Sequence, residues 1–134
     1  MSTLDKRLAR GDVIIMDGGV STEIQKHGVA LDSHMWSGTA HRDHPDIARL
    51  VHEDYIRAGA QVITANTFGT ARHVLESAGI GGEFEAINRL AVKIAGEARD
   101  NAAQGDVWIA RSISSMPPLT ESQATARGPN IEAN

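Results

Sequence analysis

Three short apolar runs, each followed at once by glycine or polar residues, are the feature that most constrains the fold of this chain. The runs cover residues 13–16, 61–65 and 107–110. Between them, apolar side chains recur at the three- and four-residue spacing of amphipathic helices. Strands that alternate with helices through short connections are parallel and are joined by right-handed crossovers. The sequence therefore predicts an α/β fold with three parallel strands.

Proline and glycine mark the predicted helix boundaries. Pro45 suits a first helical position, and the apolar pattern that follows it stops at Gly59. The glycine-rich segment 79–82 follows a helical stretch rather than a strand, so it is interpreted as a helix stop and not as a phosphate-binding loop. The predicted helices lie near residues 22–25, 45–58, 72–77 and 84–102.

Polar residues and glycines at the ends of the predicted strands are the candidates for a binding site. Doubly wound sheets and barrels both build their sites at the carboxyl ends of parallel strands, so periodicity does not choose between the two architectures. No catalytic residue or metal ligand is assigned. The candidate substrate-binding residues are Asp17, Gly18, Gly19, Asn66, Thr67 and Ser112, with Ser114 a weaker candidate.

Composition excludes several classes of function. The net charge is −4, with acidic and basic residues mixed along the chain, so no basic stripe is available for nucleic acid. No apolar run approaches the roughly 20 residues of a membrane-spanning helix. The N-terminus has no apolar signal segment, which predicts a cytoplasmic protein. The chain has no cysteine, so it contains neither a disulfide nor a thiolate metal site.

A larger pattern covers the chain as far as about Pro118. It is carried, in a characteristic order and spacing, by residues 17–23, Trp36, 44–60 and 64–69. Together they resemble the N-terminal part of the homocysteine S-methyltransferase family, which includes the homocysteine-binding module of methionine synthase and the betaine-dependent enzyme. The resemblance implies a (β/α)8 barrel, which needs about 250 residues. Residues 1–134 are therefore expected to form one partial barrel domain of about three βα units, incomplete at its C-terminus.

The family resemblance also implies a reaction, the transfer of a methyl group to the homocysteine thiol to give methionine. In the family, zinc held by three cysteines binds the sulfur and favours the reactive thiolate. Because this chain has no cysteine, it is expected to be inactive alone. The methyl donor stays open among betaine, S-methylmethionine, S-adenosylmethionine and methyl-folate.

Two other functions stay open beside the methyltransferase. One is a non-catalytic partial barrel that binds or interacts through a partner chain, and the other is an unrelated doubly wound enzyme. Three strands leave an open sheet edge, so either a homo-oligomer or a complementing chain is expected to cover it.

Individual residues carry the expected substrate contacts. By resemblance, the Asp17 carboxylate accepts hydrogen bonds from the substrate amino group, whereas the alternative is an Asp-Gly turn that ends a strand. Asn66 and Thr67 are expected to bind the amino-acid end of the substrate or, equally, to satisfy local backbone. Arg111 stands where the family usually has glycine, so it is expected to obstruct the pocket or alter the backbone.

Histidines and tryptophans outside these positions are given structural interpretations. His41, His44 and His52 lack a carboxylate partner in helical register and are expected on the surface. Trp36 and Trp108 are expected in the core or the barrel wall, with Trp36 as a candidate for the donor side of the pocket. A further helix is indicated near Pro129.

Overall fold

The computed structural model describes residues 3–113 of the chain, in which helices surround a small parallel sheet. Ser114 and the helix indicated near Pro129 lie outside this range. The α-helices are α1 Thr3–Ala9, α2 Val20–Lys26, α3 Ala40–Asp43, α4 Pro45–Arg57, α5 Arg72–Ser77 and α6 Phe84–Ala102, and the strands are β1 Val62–Ala65 and β2 Trp108–Arg111. These bounds confirm the α/β class and the helices predicted at α2, α4, α5 and α6. Helices α1 and α3 were not predicted.

The sheet pairs β1 with β2 in parallel, from Val62 opposite Trp108 to Ala65 opposite Arg111. The segment 13–16 lies on the other side of β1, where it makes a single parallel bridge between Met16 and Val62. The prediction of a full strand at 13–16 is therefore wrong in extent. This segment is the outer edge of the sheet in the described part of the chain, and 82% of Val13 is exposed. Because no strand among the described residues pairs with that side, few hydrogen bonds are present to keep the segment in a regular ladder.

Helix boundaries follow the residues that signalled them. Helix α4 begins with Pro45 at its first position, where the missing amide hydrogen costs nothing. The backbone leaves α4 through Gly59 and leaves α5 through Gly79, with φ angles of 107° and 76°. Such left-handed conformations are strained for residues with a Cβ, so glycine ends both helices.

The core lies where α4 and α6 pack against β1 and against each other. Small residues on α6, Ala91, Ala95 and Ala98, are almost fully buried and let the helix approach closely. Glu53 on α4 links the two helices because it accepts a 3.1 Å hydrogen bond from Asn101 and pairs with Arg57 at 2.6 Å. This packing fixes the carboxyl ends of the strands relative to the helices. No helix among residues 3–113 is both long enough and apolar enough to cross a membrane.

Candidate functional site

An open cavity of about 470 Å³ lies at the carboxyl ends of the segment 13–16, β1 and β2. It brings together five of the six candidate residues, Asp17, Gly18, Gly19, Asn66 and Ser112. The sixth, Thr67, does not line this cavity. The remaining lining residues are Met16, Val20, Ser21, Thr22, Trp36, Thr64, Ala65 and Phe68.

Both oxygens of the Asp17 carboxylate contact Thr64 on β1. Oδ2 accepts from the Thr64 amide at 2.6 Å, and Oδ1 accepts from the Thr64 hydroxyl at 2.9 Å. The Asp17 amide in turn donates to the Val62 carbonyl at 2.9 Å. Asp17 therefore joins the end of the segment 13–16 to the middle of β1. Each carboxylate oxygen has two lone pairs, so acceptor capacity remains for a ligand in the cavity.

Gly18 and Gly19 leave room for neighbouring side chains, and neither has a positive φ angle. A Cβ on Gly18 would lie 2.9 Å from the Tyr55 hydroxyl oxygen, and one on Gly19 would lie 2.6 Å from Oγ1 of Thr22. The Tyr55 hydroxyl also donates to the Gly19 carbonyl at 3.3 Å. The turn after Asp17 is thus pressed against α2 and α4, and this fixes one wall of the cavity.

Asn66 is held by a buried network that sequence reasoning missed. Its Nδ2 donates to the Ser37 carbonyl at 2.7 Å, and its Oδ1 accepts from the Ser37 hydroxyl at 3.0 Å. The Ser37 hydroxyl lies 2.6 Å from that of Ser21. Asn66 therefore ties the loop before α3 to the end of β1. A lone serine in a loop gives no sequence signal for such a contact.

Thr67 connects the ends of the two strands. Its hydroxyl donates to the Ser112 carbonyl at 2.8 Å and accepts from the Ser112 amide at 3.0 Å. One side chain thus continues the ladder one step beyond β1 and β2. The hydroxyl therefore satisfies backbone groups just beyond β2, and contact of Thr67 with substrate stays a prediction.

Trp36 forms an aromatic wall of the cavity together with Phe68, with ring centroids 6.1 Å apart. Trp36 is 45% exposed, so the prediction that it lies in the core is wrong. Asp32 closes the turn that precedes Trp36, because the backbones of these two residues exchange hydrogen bonds of 2.8 and 3.0 Å. Oδ1 of Asp32 also accepts from the amides of His34 and Met35. This turn holds Trp36 at a φ of 55°.

Two histidines are buried, and their predicted surface position is wrong. His41 and His52 are each about 1% exposed, whereas His44 is exposed as predicted. Within residues 3–113, no hydrogen bond of good geometry reaches either ring nitrogen of His41 or Nδ1 of His52. Burial lowers the pKa of His41 to about 4. Burial also lowers the pKa of His52, an effect that the charge of Asp17 opposes. Both imidazoles are therefore neutral at pH 7.

Arg111 ends β2 with an exposed side chain that does not line the cavity of Asp17. The expectation that it obstructs this pocket is wrong, because alternate residues of a strand point to opposite faces and Ser112, not Arg111, reaches the cavity. Arg111 lines a neighbouring cavity instead.

The residues present do not fit a zinc site. Among residues 3–113, no three histidine, aspartate or glutamate side chains converge in a way that would hold a metal ion. The sequence has no cysteine to add to them. A structural zinc site has four protein ligands and a catalytic site has three, so the described part of the chain supplies no such set.

Comparison with known proteins places these features in a family. The sequence profile described as homocysteine S-methyltransferase matches residues 14–131. Homocysteine S-methyltransferase 4 of Zea mays is 37% identical over 98 residues, which cover 72% of this chain and 29% of that protein. Betaine--homocysteine S-methyltransferase 1 of Xenopus tropicalis is 32% identical over 121 residues, or 84% of this chain and 28% of that protein.

A solved structure has the same fold over nearly all of the chain. The metallated form of the homocysteine methyltransferase MmuM from Escherichia coli matches with a TM-score of 0.74 and 27% identity, over 95% of this chain and 44% of that one. The chain thus spans less than a third of the length of the two curated relatives described above. With a profile that matches most of its length, the chain belongs to the homocysteine S-methyltransferase family.

Proposed function

We propose that this chain is the substrate-binding front part of a homocysteine S-methyltransferase, built as about three βα units of a (β/α)8 barrel. The observation that carries the proposal is the cavity at the strand ends, where Asp17, Asn66 and Ser112 meet in a chain of this family. Homocysteine and a methyl donor are the proposed ligands.

Asp17 is proposed to bind the amino group of homocysteine. Its carboxylate is held in place by Thr64, and the remaining lone pairs accept hydrogen bonds from an ammonium group. Gly18 and Gly19 leave the carboxylate accessible from the cavity because neither carries a side chain. Asn66, whose amide is occupied by Ser37, positions the loop rather than contacting the substrate.

Trp36 and Phe68 are proposed to face the methyl donor. Betaine, S-methylmethionine and S-adenosylmethionine each carry the transferable methyl on a positively charged nitrogen or sulfur. The face of an aromatic ring attracts such cations, most strongly for tryptophan. The half-exposed Trp36 ring beside Phe68 therefore suits an onium donor better than a neutral one.

The residues that the structure describes supply the substrate side of the proposed reaction and no metal site, so the proposed activity requires further protein. The family and the metallated relative imply a metal, but the described residues offer no ligand set for it. We therefore expect no methyl transfer by the 134-residue chain alone. Its location in the cytoplasm also stays a prediction.

The test is to place residues 1–134 in a completed enzyme and to compare Asp17→Asn with Asp106→Asn. Asp106 is exposed and lies outside the cavity, so it controls for the loss of one charge. Loss of one charge-assisted hydrogen bond is worth about 1.5–3 kcal/mol, so Asp17→Asn is expected to lower kcat/KM for homocysteine about ten- to a hundredfold. Equal kinetics for the two variants would exclude Asp17 from the substrate site.

A non-catalytic module that pairs with another chain is the second candidate. The exposed edge at Val13, Ile15 and Met16 favours it, since these apolar side chains lack a neighbour within the described residues. Homocysteine binding by the isolated chain with turnover after addition of the missing barrel half would support the methyltransferase. Failure of the chain to bind homocysteine even in a reconstituted barrel would favour the second candidate.

A further inference from the structure

A second open cavity, of about 570 Å³, adjoins the candidate site on the side of α5 and α6. Ser112 lines both cavities, so the two share one wall. Three arginines from three different elements surround the second cavity, which we call the arginine cleft. Its lining residues are Thr67, Thr70, Ala71, Arg72, Phe84, Glu85, Asn88, Arg89, Arg111, Ser112 and Ile113.

The charges of the arginine cleft do not balance. Glu85 is the one carboxylate among the described residues that line it, and it pairs with Arg89 at 2.6 Å. Arg72 lies over the Phe84 ring, with its guanidinium carbon 4.3 Å from the ring centroid. Within residues 3–113, neither Arg72 nor Arg111 forms an ion pair with a carboxylate. The cleft thus has an excess of two positive charges.

The polar groups beside these arginines are already occupied. Asn88 donates to the carbonyls of Thr70 and Phe84 and accepts from the Thr70 hydroxyl. Thr67 is occupied by Ser112. A ligand in the cleft would therefore meet guanidinium groups as its principal free donors. Guanidinium binds planar or tetrahedral anions through paired hydrogen bonds.

We propose that the arginine cleft is a binding site for a small organic anion that carries a carboxylate or phosphate group. The two guanidiniums of Arg72 and Arg111 bind the anionic group, whereas Arg89 stays paired with Glu85. Phe84 and Ile113 supply an apolar wall for the body of the ligand. The volume lies within the range of known small-molecule sites. Such a site goes beyond the proposed methyl transfer and does not depend on it.

Arg111 is the arginine to vary, because it lines the cleft and forms no ion pair with a carboxylate within residues 3–113. Glycine there would leave Arg72 as the one arginine lining the cleft without a carboxylate partner in the described part of the chain. We therefore choose Arg111→Gly as the main variant, since Arg111 is the last residue of β2 and is exposed. Arg111→Lys retains the charge but not the paired donors.

The experiment is calorimetric titration of the 134-residue chain with phenyl phosphate and, separately, with glutarate. Benzyl alcohol serves as the neutral probe. We expect saturable binding of at least one anion, which identifies phosphate or carboxylate as the preferred group, and weaker binding at higher salt. Arg111→Gly should weaken binding about fivefold or more, which corresponds to about 1 kcal/mol. Arg111→Lys should fall between the parent and Arg111→Gly.

The matched control is Arg99→Gln, which removes a half-exposed arginine of α6 that pairs with Asp100 and lies outside the cleft. Its affinity for the probes should stay within twofold of the parent. Circular dichroism spectra that match the parent show that each variant folds. Absence of saturable binding for both anions, equal binding of benzyl alcohol, or an equal loss in Arg99→Gln and Arg111→Gly would overturn the proposal.

Discussion

The hydrogen bonds between Asp17 and Thr64 are expected to stabilise the fold as well as to orient the site. Asp17→Ala removes both bonds, and it leaves the half-buried Thr64 amide without its acceptor. Hydrogen bonds to a charged group contribute about 1.5–3 kcal/mol each, and the two share one carboxylate. We therefore expect Asp17→Ala to lower the free energy of unfolding by about 3 kcal/mol.

Thr64→Val separates the two bonds, because it removes the hydroxyl bond of 2.9 Å and keeps the amide bond of 2.6 Å. It is expected to cost about 1.5 kcal/mol in the parent and almost nothing after Asp17→Ala, since the partner is then already gone. Asp17→Asn should cost about 1 kcal/mol, because the amide still offers one acceptor and one donor to Thr64.

Urea unfolding followed by circular dichroism at 222 nm measures these differences if the transition is cooperative. Asp106→Ala removes an exposed carboxylate and should change stability by less than about 0.5 kcal/mol. Equal costs of Thr64→Val with and without Asp17 would show that the two side chains do not interact. In that case the stabilising role of the bond between the Asp17 carboxylate and the Thr64 hydroxyl would be wrong.

Three further predictions concern stability and association. As pH falls from 6.5 to about 4, the unfolded chain takes up a proton on His41 that the folded chain excludes. The free energy of unfolding should therefore fall by about 3 kcal/mol over this range. His41→Leu should flatten this pH profile in urea unfolding. Asn66→Ala should cost about 2 kcal/mol because it leaves the buried Ser37 carbonyl without its donor and removes one of the two hydrogen bonds of the Ser37 hydroxyl, which keeps Ser21; Ser33→Ala on the surface should cost little in thermal melts. The chain should self-associate through the edge at 13–16, and Ile15→Lys should shift its sedimentation toward the monomer; a monomeric parent would contradict this.

The elements of the fold were predictable where local chemistry decides them. The bounds of α5 and α6 follow from the glycine segment between them and from an apolar stripe that repeats at helical spacing. The segment 13–16 was predicted less well because its composition is that of a buried strand, whereas pairing depends on a neighbour elsewhere. Helix α3 has four residues, too few for a periodic pattern.

The candidate site was also predictable only in part. The positions of Asp17, Asn66 and Ser112 at one cavity follow from the rule that parallel strands end together. The side-chain partners did not follow, because Thr64, Ser37 and Ser21 are joined only by the folded chain. His41 and His52 were misplaced because histidine is polar by type, and only tertiary contacts show that neither ring reaches solvent.

The φ of 55° at Trp36 makes backbone strain and the proposed ligand contact depend on the same residue. A left-handed conformation costs a residue with a Cβ about 1–2 kcal/mol, and glycine would relieve that cost. Glycine would also delete the ring that packs beside Phe68 in the wall of the cavity. Directed evolution for heat resistance alone would therefore favour replacing this tryptophan, whereas selection for growth on an onium methyl donor would retain it.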